Sequence, residues 1–229
     1  MITMPKSQKE EIIERTAAYV KKELLNESSG HDWWHILRVR NNALIIAHKE
    51  KGADIFVVEL AALLHAMADW KFHGGNEKIN SSTARKWLKS QKVDDAAIAK
   101  VCTVIDEIPF KGAGVKTTPS TLEGKIVQDA DRLDAIGAIG IARAFAYGGK
   151  IEREIYNPTK KPKIHTSFKS YKKESFKNTK ATSINHFYEK LLLLKGLMNT
   201  DAGKELAKGR DKYMKDFLSR FYKEWNGKM

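Results

Sequence analysis

The stretch Leu60-Ala61-Ala62-Leu63-Leu64-His65-Ala66-Met67-Ala68-Asp69-Trp70-Lys71-Phe72 decides how the rest of the chain is read. Leu60, Leu63, Leu64 and Met67 recur at three- and four-residue spacing, which predicts a buried helix. His65 and Asp69 interrupt it as an i,i+4 pair, so both project from one face. A buried imidazole and a buried carboxylate are costly unless they are paired or bind something. Alone, the pair reads equally well as a core histidine satisfied by a nearby acid. The remaining His and Asp positions tip the balance.

Outward from that stretch, the periodicity stays helical. Ser7-Gln8-Lys9-Glu10 has the form of a capping box and opens a helix to about Asn26 with Ile12, Ile13, Val20 and Leu24 inward. A second helix begins near Asp32, carries Ile36, Val39, Ala43, Ile46 and Ala47 inward, and ends at Gly52. Lys71 to Asn80 reads as a loop. Ser81 or Ser82 can cap a short helix with Trp87 and Leu88, and Asp94 to Ile108 forms another that Pro109 stops. Ser120-Thr121-Leu122-Glu123 is a second capping box, opening a long helix from Leu122 to about Tyr147 that Gly148 and Gly149 terminate. Lys150 to Thr182 has no period and reads as a long basic loop, of the kind that serves as a lid or a linker. Two further helices close the chain, marked by Ile184, Phe187, Leu191 and Leu194, then by Leu206, Met214, Phe217 and Trp225. The expectation is an all-α fold in a single domain over 1–229, with its core in about 8–149, the basic loop in about 150–182 and the closing helices in about 183–226.

Composition limits the functional classes. The hydrophobic share of 42% and charged share of 30% over 229 residues suit a globular protein. No apolar run reaches the roughly 18–20 residues that span a bilayer, and Met1 to Ser7 lacks the apolar centre of a secretory signal, so a cytoplasmic location is expected. The one cysteine, Cys102, excludes an internal disulfide. The net charge is +13, and Lys150–Lys180 holds ten Lys or Arg against three Glu. Such a surplus suits nucleic acid, an anionic surface or a phosphorylated small molecule.

Three places put polar groups where a helical core would otherwise be apolar. In Gly30-His31-Asp32-Trp33-Trp34-His35-Ile36-Leu37-Arg38-Val39, His35 lies beside the inward Ile36 and four residues before Val39, so it faces inward. The second place is His65 with Asp69. The third is Gln128-Asp129-Ala130-Asp131-Arg132-Leu133-Asp134, where Asp131 and Asp134 share a face with Val127 and Ala138 while Asp129 points about 200° away. Two imidazoles and several carboxylates from separate helices form a donor set for Mn²⁺, Fe²⁺, Zn²⁺ or, less readily, Mg²⁺.

On these residues the chain resembles the HD-domain metal-dependent phosphohydrolases. That family carries a His, a later His-Asp doublet and a distant Asp on one divalent metal. Trp34-His35-Ile36-Leu37-Arg38-Val39 matches the first element, Leu63-Leu64-His65 the start of the doublet, and Asp131-Arg132-Leu133-Asp134 the last. Ala68-Asp69-Trp70-Lys71-Phe72, the run from Val127 to Arg143 and the late Ile184-Asn185-His186-Phe187 are similar to a bacterial subgroup, the YpgQ-type nucleotide pyrophosphatases. One position departs: Ala66 follows His65 where the family has the doublet Asp. Losing even a group that only orients a ligand commonly costs about 10–100-fold in metal affinity or activity, so low activity and partial metal occupancy are expected.

The resemblance implies roles. His35, His65 and Asp131 are the remaining metal ligands, with Mn²⁺ the first expectation and Mg²⁺, Fe²⁺, Zn²⁺, Co²⁺ or Ni²⁺ the alternatives. Asp69 is the expected general base or water-positioning group, and it or Asp134 could swing into the place of the missing ligand. Lys71, Arg132 and Asp134 are expected at the substrate, with a surface salt bridge the competing use of Lys71 and Arg132 and support of a ligand that of Asp134. The implied reaction is hydrolysis of a phosphorylated small molecule, most plausibly a nucleotide (pyro)phosphate. A pseudo-enzyme that only binds such a ligand is the alternative. A nucleic-acid module comes third, because the sequence carries no helix-turn-helix, zinc-finger or RNA-motif signature. No membrane partner is expected; a homodimer is compatible with the sequence.

Overall fold

The computed structural model describes residues 6–24, 32–67, 79–112, 115, 117–164, 167, 169 and 181–228. Every regular element among them is helical and none is a strand, so the fold is all-α. The chain divides into two compact units, Met1–Phe110 with Lys116–Ala130, and Lys111–Val115 with Asp131–Met229.

The first unit is built on the run Ile55-Phe56-Val57-Val58-Glu59-Leu60-Ala61-Ala62-Leu63-Leu64, which forms α3 (Ile55–Leu64). Each residue from Phe56 to Leu64 is buried, as a helix that is apolar on nearly all sides must be. Asp54 caps it by accepting the Val57 N–H, and Glu123 in turn accepts the Asp54 N–H at 2.9 Å. Around α3 pack α1 (Lys6–Leu24), α2 (Trp33–Lys49) and α5 (Asp95–Glu107). Burying each Val, Leu or Ile side chain there contributes about 1.5–3 kcal/mol. The short α4 (Ile79–Ser90) packs on α5. Its Trp87 stacks on Tyr19 at 4.0 Å and donates to the Thr16 hydroxyl at 2.9 Å, which ties it to α1 as well. Cys102 is buried, with its thiol on the Ser81 carbonyl.

Helix α6 (Leu122–Asp134) passes from the first unit into the second. Its fully buried Gln128 donates to the Thr117 carbonyl at 2.8 Å, with Ile108 and Glu107 carbonyls at 3.3 and 3.4 Å. One amide thereby secures the connection between α5 and α6 and satisfies carbonyls that the end of α5 leaves open. The expected helix from Leu122 to Tyr147 is two helices. The chain breaks after Asp134 and restarts as α7 (Gly137–Lys150). Gly137 makes the break possible. Its φ is +77°, a conformation that L side chains rarely adopt, and a Cβ there would lie 3.0 Å from the Arg210 side chain.

In the second unit, α7 packs against the long α9 (Asp201–Trp225). Between them in sequence runs α8 (183–197), a composite of an α turn, a π turn over Phe187–Leu191 and a tight last turn over Lys195–Leu197. Phe145, Phe187 and Phe217 form its aromatic centre, with ring centroids 5.8–6.1 Å apart. Within the basic stretch, 151–164 is irregular but tied down: Ser183 and Ile184 N–H groups donate to Glu154 and Ile155 carbonyls, and the Lys163 N–H donates to Glu189.

Other expected helix boundaries are corrected as well. Helix α1 already runs at Lys6, so Ser7 lies inside its first turn rather than before it. Helix α4 starts at Ile79, so Ser81 and Ser82 lie within it, and the Ser82 hydroxyl donates back to the Ile79 carbonyl. At α6 the cap is Thr121, which accepts the Gly124 N–H; Glu107 has taken both the N–H and hydroxyl of Ser120. The opening stretch ends its helix at Leu64, with turns at 65–66 and the part from 68 outside the described residues. No described helix is long and apolar enough to cross a membrane.

The break at Gly137 gives a stability test. Gly137→Ala should lower unfolding free energy by about 1–3 kcal/mol, the usual cost of a strained backbone conformation. Gly149→Ala, in α7 with nothing within 4 Å of the added carbon, should be neutral or stabilising. Urea denaturation of both variants checks the contrast; equal stabilities would contradict it.

Candidate metal centre

His35 is placed by the start of α2. Asp32 caps that helix, its carboxylate accepting the His35 N–H at 2.9 Å and its carbonyl the Ile36 N–H at 3.3 Å. In this first turn Trp33 and His35 point inward, His35 with no exposed surface, while Trp34 is 55% exposed. The inward direction expected for His35 is therefore the one observed.

His65 stands at the other end of a helix, as the residue after α3. Its Nδ1 lies 2.8 Å from the Ala62 carbonyl. A carbonyl can only accept, so a neutral His65 carries its proton on Nδ1 and presents the Nε2 lone pair. The same contact engages a carbonyl near the end of α3, a position that commonly needs a partner beyond the helix's own ladder. Between the two histidines the helices are pinned by Arg40 and Glu59, whose groups meet at 2.6 and 2.9 Å with Glu59 only 9% exposed. This pair sits five residues after His35 and six before His65, so it sets the register of α2 on α3 near the site. Neither residue was expected at the site from sequence. The signal was present, since Glu59 is the lone charge in an otherwise apolar ten-residue run.

Asp131, half-buried on the last turn of α6, is the third member. One ligand atom from each of His35, His65 and Asp131 lies within 4.8 Å of the other two. The imidazole rings are 5.3 Å apart and inclined at 68°. Both Nε2 atoms are buried, and neither is engaged in a hydrogen bond with a described residue. Donors each about 2.0–2.2 Å from one ion are separated by about 3–4.4 Å, so modest side-chain rotation closes the group on a cation. Two neutral nitrogens and one carboxylate suit a borderline divalent ion. The donor set fits a metal.

The other expected residues fall in different places. Ala66, partly buried, follows His65 and has no donor atom. Asp69 and Lys71 lie outside the described residues. Arg132 is buried, and its guanidinium donates to the Leu197 carbonyl. Asp134, also buried, accepts from Arg143 at 2.9 Å. Ala138, expected on the face of Asp131, is exposed on the next helix because of the break. Arg143 and Arg210 were not singled out from sequence. Arg210 gave no signal there, being one of many alternating charges along α9.

Known proteins resemble the chain over most of its length. Residues 33–136 match the HD domain family model. The chain is 37% identical over 215 residues to the uncharacterized protein YpgQ of Bacillus subtilis, covering 93% of this chain and 94% of that protein. The crystal structure of an HD-superfamily hydrolase from Bacillus thuringiensis superposes with TM-score 0.71 at 42% identity, over 95% of this chain and 98% of that one. That of YpgQ in complex with ADP superposes with TM-score 0.73 at 32% identity, over 95% and 96%. The chain belongs to the HD-domain family, as an HD-superfamily hydrolase related to YpgQ.

Proposed function

We propose that the chain is a divalent-metal-dependent phosphohydrolase acting on a nucleotide (pyro)phosphate, with activity held low by Ala66. The observation that carries this reading is the approach of His35, His65 and Asp131 to within 4.8 Å. The ADP bound by YpgQ supports the substrate class. We keep a single-domain organisation in the proposal, because α6 runs through the division between the units.

In this reading His35 and His65 give Nε2, and Asp131 a carboxylate oxygen, to one ion, Mn²⁺ before the alternatives. Such an ion lowers the pKa of water and withdraws charge from a phosphoryl oxygen. The Ala62 carbonyl keeps His65 in the required tautomer. Asp69 orients the attacking water and takes its proton. Lys71 and Arg132 offset phosphate charge in this reading. Asp134, engaged by Arg143, supports the turn that carries Asp131. With Ala66 in place of a carboxylate, the three donors bring a single negative charge to a divalent ion. Weaker retention and slower turnover follow, and a chain that mainly binds its ligand is the limiting case.

Two outcomes are expected. Ala66→Asp should raise Mn²⁺ affinity about tenfold or more, by analogy with the 10–100-fold effects of lesser changes, and should raise hydrolysis of nucleotides in a panel assay. A metal-loaded revertant that cleaves no phosphoester or phosphoanhydride on the panel would contradict the substrate class. Separately, Mn²⁺ at a hundred times its Kd should stabilise the parent chain by about 2.7 kcal/mol, reversed by chelator and absent in His65→Ala. Thermal melts with and without Mn²⁺ measure this; an unchanged shift in His65→Ala would place the ion elsewhere.

A further inference from the structure

The last turn of α6 is held residue by residue. Arg132 donates to the Leu197 carbonyl, the Leu133 carbonyl accepts from Arg210 at 2.5 Å, and Asp134 pairs with Arg143 at 2.9 Å. The partners come from the turn before α9, from α9 itself and from α7. Asp131 is the residue immediately before this held triplet. Without such partners the turn would be weak. The onward backbone bonds from Ala135 and Ile136 to the carbonyls of Asp131, Arg132 and Leu133 are 3.2–3.3 Å long, and the chain then turns through Gly137 at φ +77°. Helix ends of this kind fray. A carboxylate on a fraying turn samples many directions, and a metal ligand must hold one.

Arg210 occupies the centre of the arrangement. Its stem packs where a Cβ on Gly137 would lie, 3.0 Å from both its Cβ and Cγ. Its guanidinium is on the Leu133 carbonyl, where burial pushes its pKa below the usual arginine value and the nearby Asp134 charge offsets part of that. The backbone of the next residue is secured in turn: Asp211, 3% exposed, pairs with Lys195 at 3.3 Å and Lys215 at 2.9 Å. Lys195 belongs to the same short turn as Leu197, the acceptor for Arg132. Both routes end on 132–134.

We infer that Arg210 is a positioning residue for the metal centre, fixing the last turn of α6 so that the Asp131 carboxylate is aimed at the ion. The inference rests on the reading of His35, His65 and Asp131 as a metal site. Arg210 touches neither ion nor substrate in it. A purely structural arginine would affect melting temperature but not affinity at temperatures where the variant is folded.

The test is Mn²⁺ binding, followed by electron paramagnetic resonance and calorimetry at a temperature where circular dichroism shows each variant folded. Arg210→Met should weaken Mn²⁺ binding about tenfold or more, as loss of a group supporting a ligand does. Arg210→Lys, which keeps a donor and the charge, should recover part of that loss. Arg220→Met, an exposed arginine of the same helix paired with Glu224, should bind as the parent does. Should Arg210→Met fail to fold, Arg143→Met carries the test, since it releases Asp134 and should weaken binding in the same direction. A folded Arg210→Met with parental affinity overturns this inference alone. A parent chain that binds no Mn²⁺ overturns the metal-centre reading, and this inference with it.

Discussion

Burial of α3 on every side is the constraint on which the site depends. A helix with nine successive buried residues must be enclosed, and α1, α2 and α5 enclose it. That enclosure brings His65, at its end, against His35, at the start of α2, in a region where an imidazole nitrogen has little access to water. A polar atom placed there is expensive unless something takes its lone pair. The apolar core therefore also concentrates ligands. It supplies the low-dielectric surroundings in which a cation and a carboxylate attract more strongly than in water. The Arg40–Glu59 pair is a charged contact along the α2–α3 seam that helps fix which turn faces which.

Much of this was legible in the residues. Leu60, Leu63 and Leu64 marked the buried helix, and the position of His35 beside Ile36 marked its inward direction. The three residues that meet were named from their types, their spacing and the resemblance. What escaped was decided by contacts distant in sequence. Nothing in Leu122 to Tyr147 looks like two helices except the glycines Gly137 and Gly140, and glycine within a helical pattern is also tolerated. Only the opposing Arg210, more than seventy residues later, shows why the break sits there. Likewise Ser120 had the form of a cap, but Glu107 on the preceding helix accepts its donors and leaves the role to Thr121.

The strong positive charge also takes on a more definite meaning. Along α9 many lysines and arginines are matched by acids three or four residues away, such as Lys204 with Asp201, Lys212 with Asp216 and Arg220 with Glu224. Two of the arginines are turned inward, Arg210 to the Leu133 carbonyl and Arg143 to Asp134. Their charges shape the protein rather than its outer field. The net surplus is concentrated instead in Lys150–Lys180, with ten basic residues against three acidic.

His35, His65 and Asp131 are proposed to hold one divalent ion. Anomalous diffraction from a crystal of the chain grown with Mn²⁺ tests it directly. A single strong peak is expected within about 2.0–2.3 Å of Nε2 of both histidines and of a carboxylate oxygen of Asp131. A saturated crystal with its Mn²⁺ peak elsewhere, or with His35 and His65 turned away from a common centre, would contradict it.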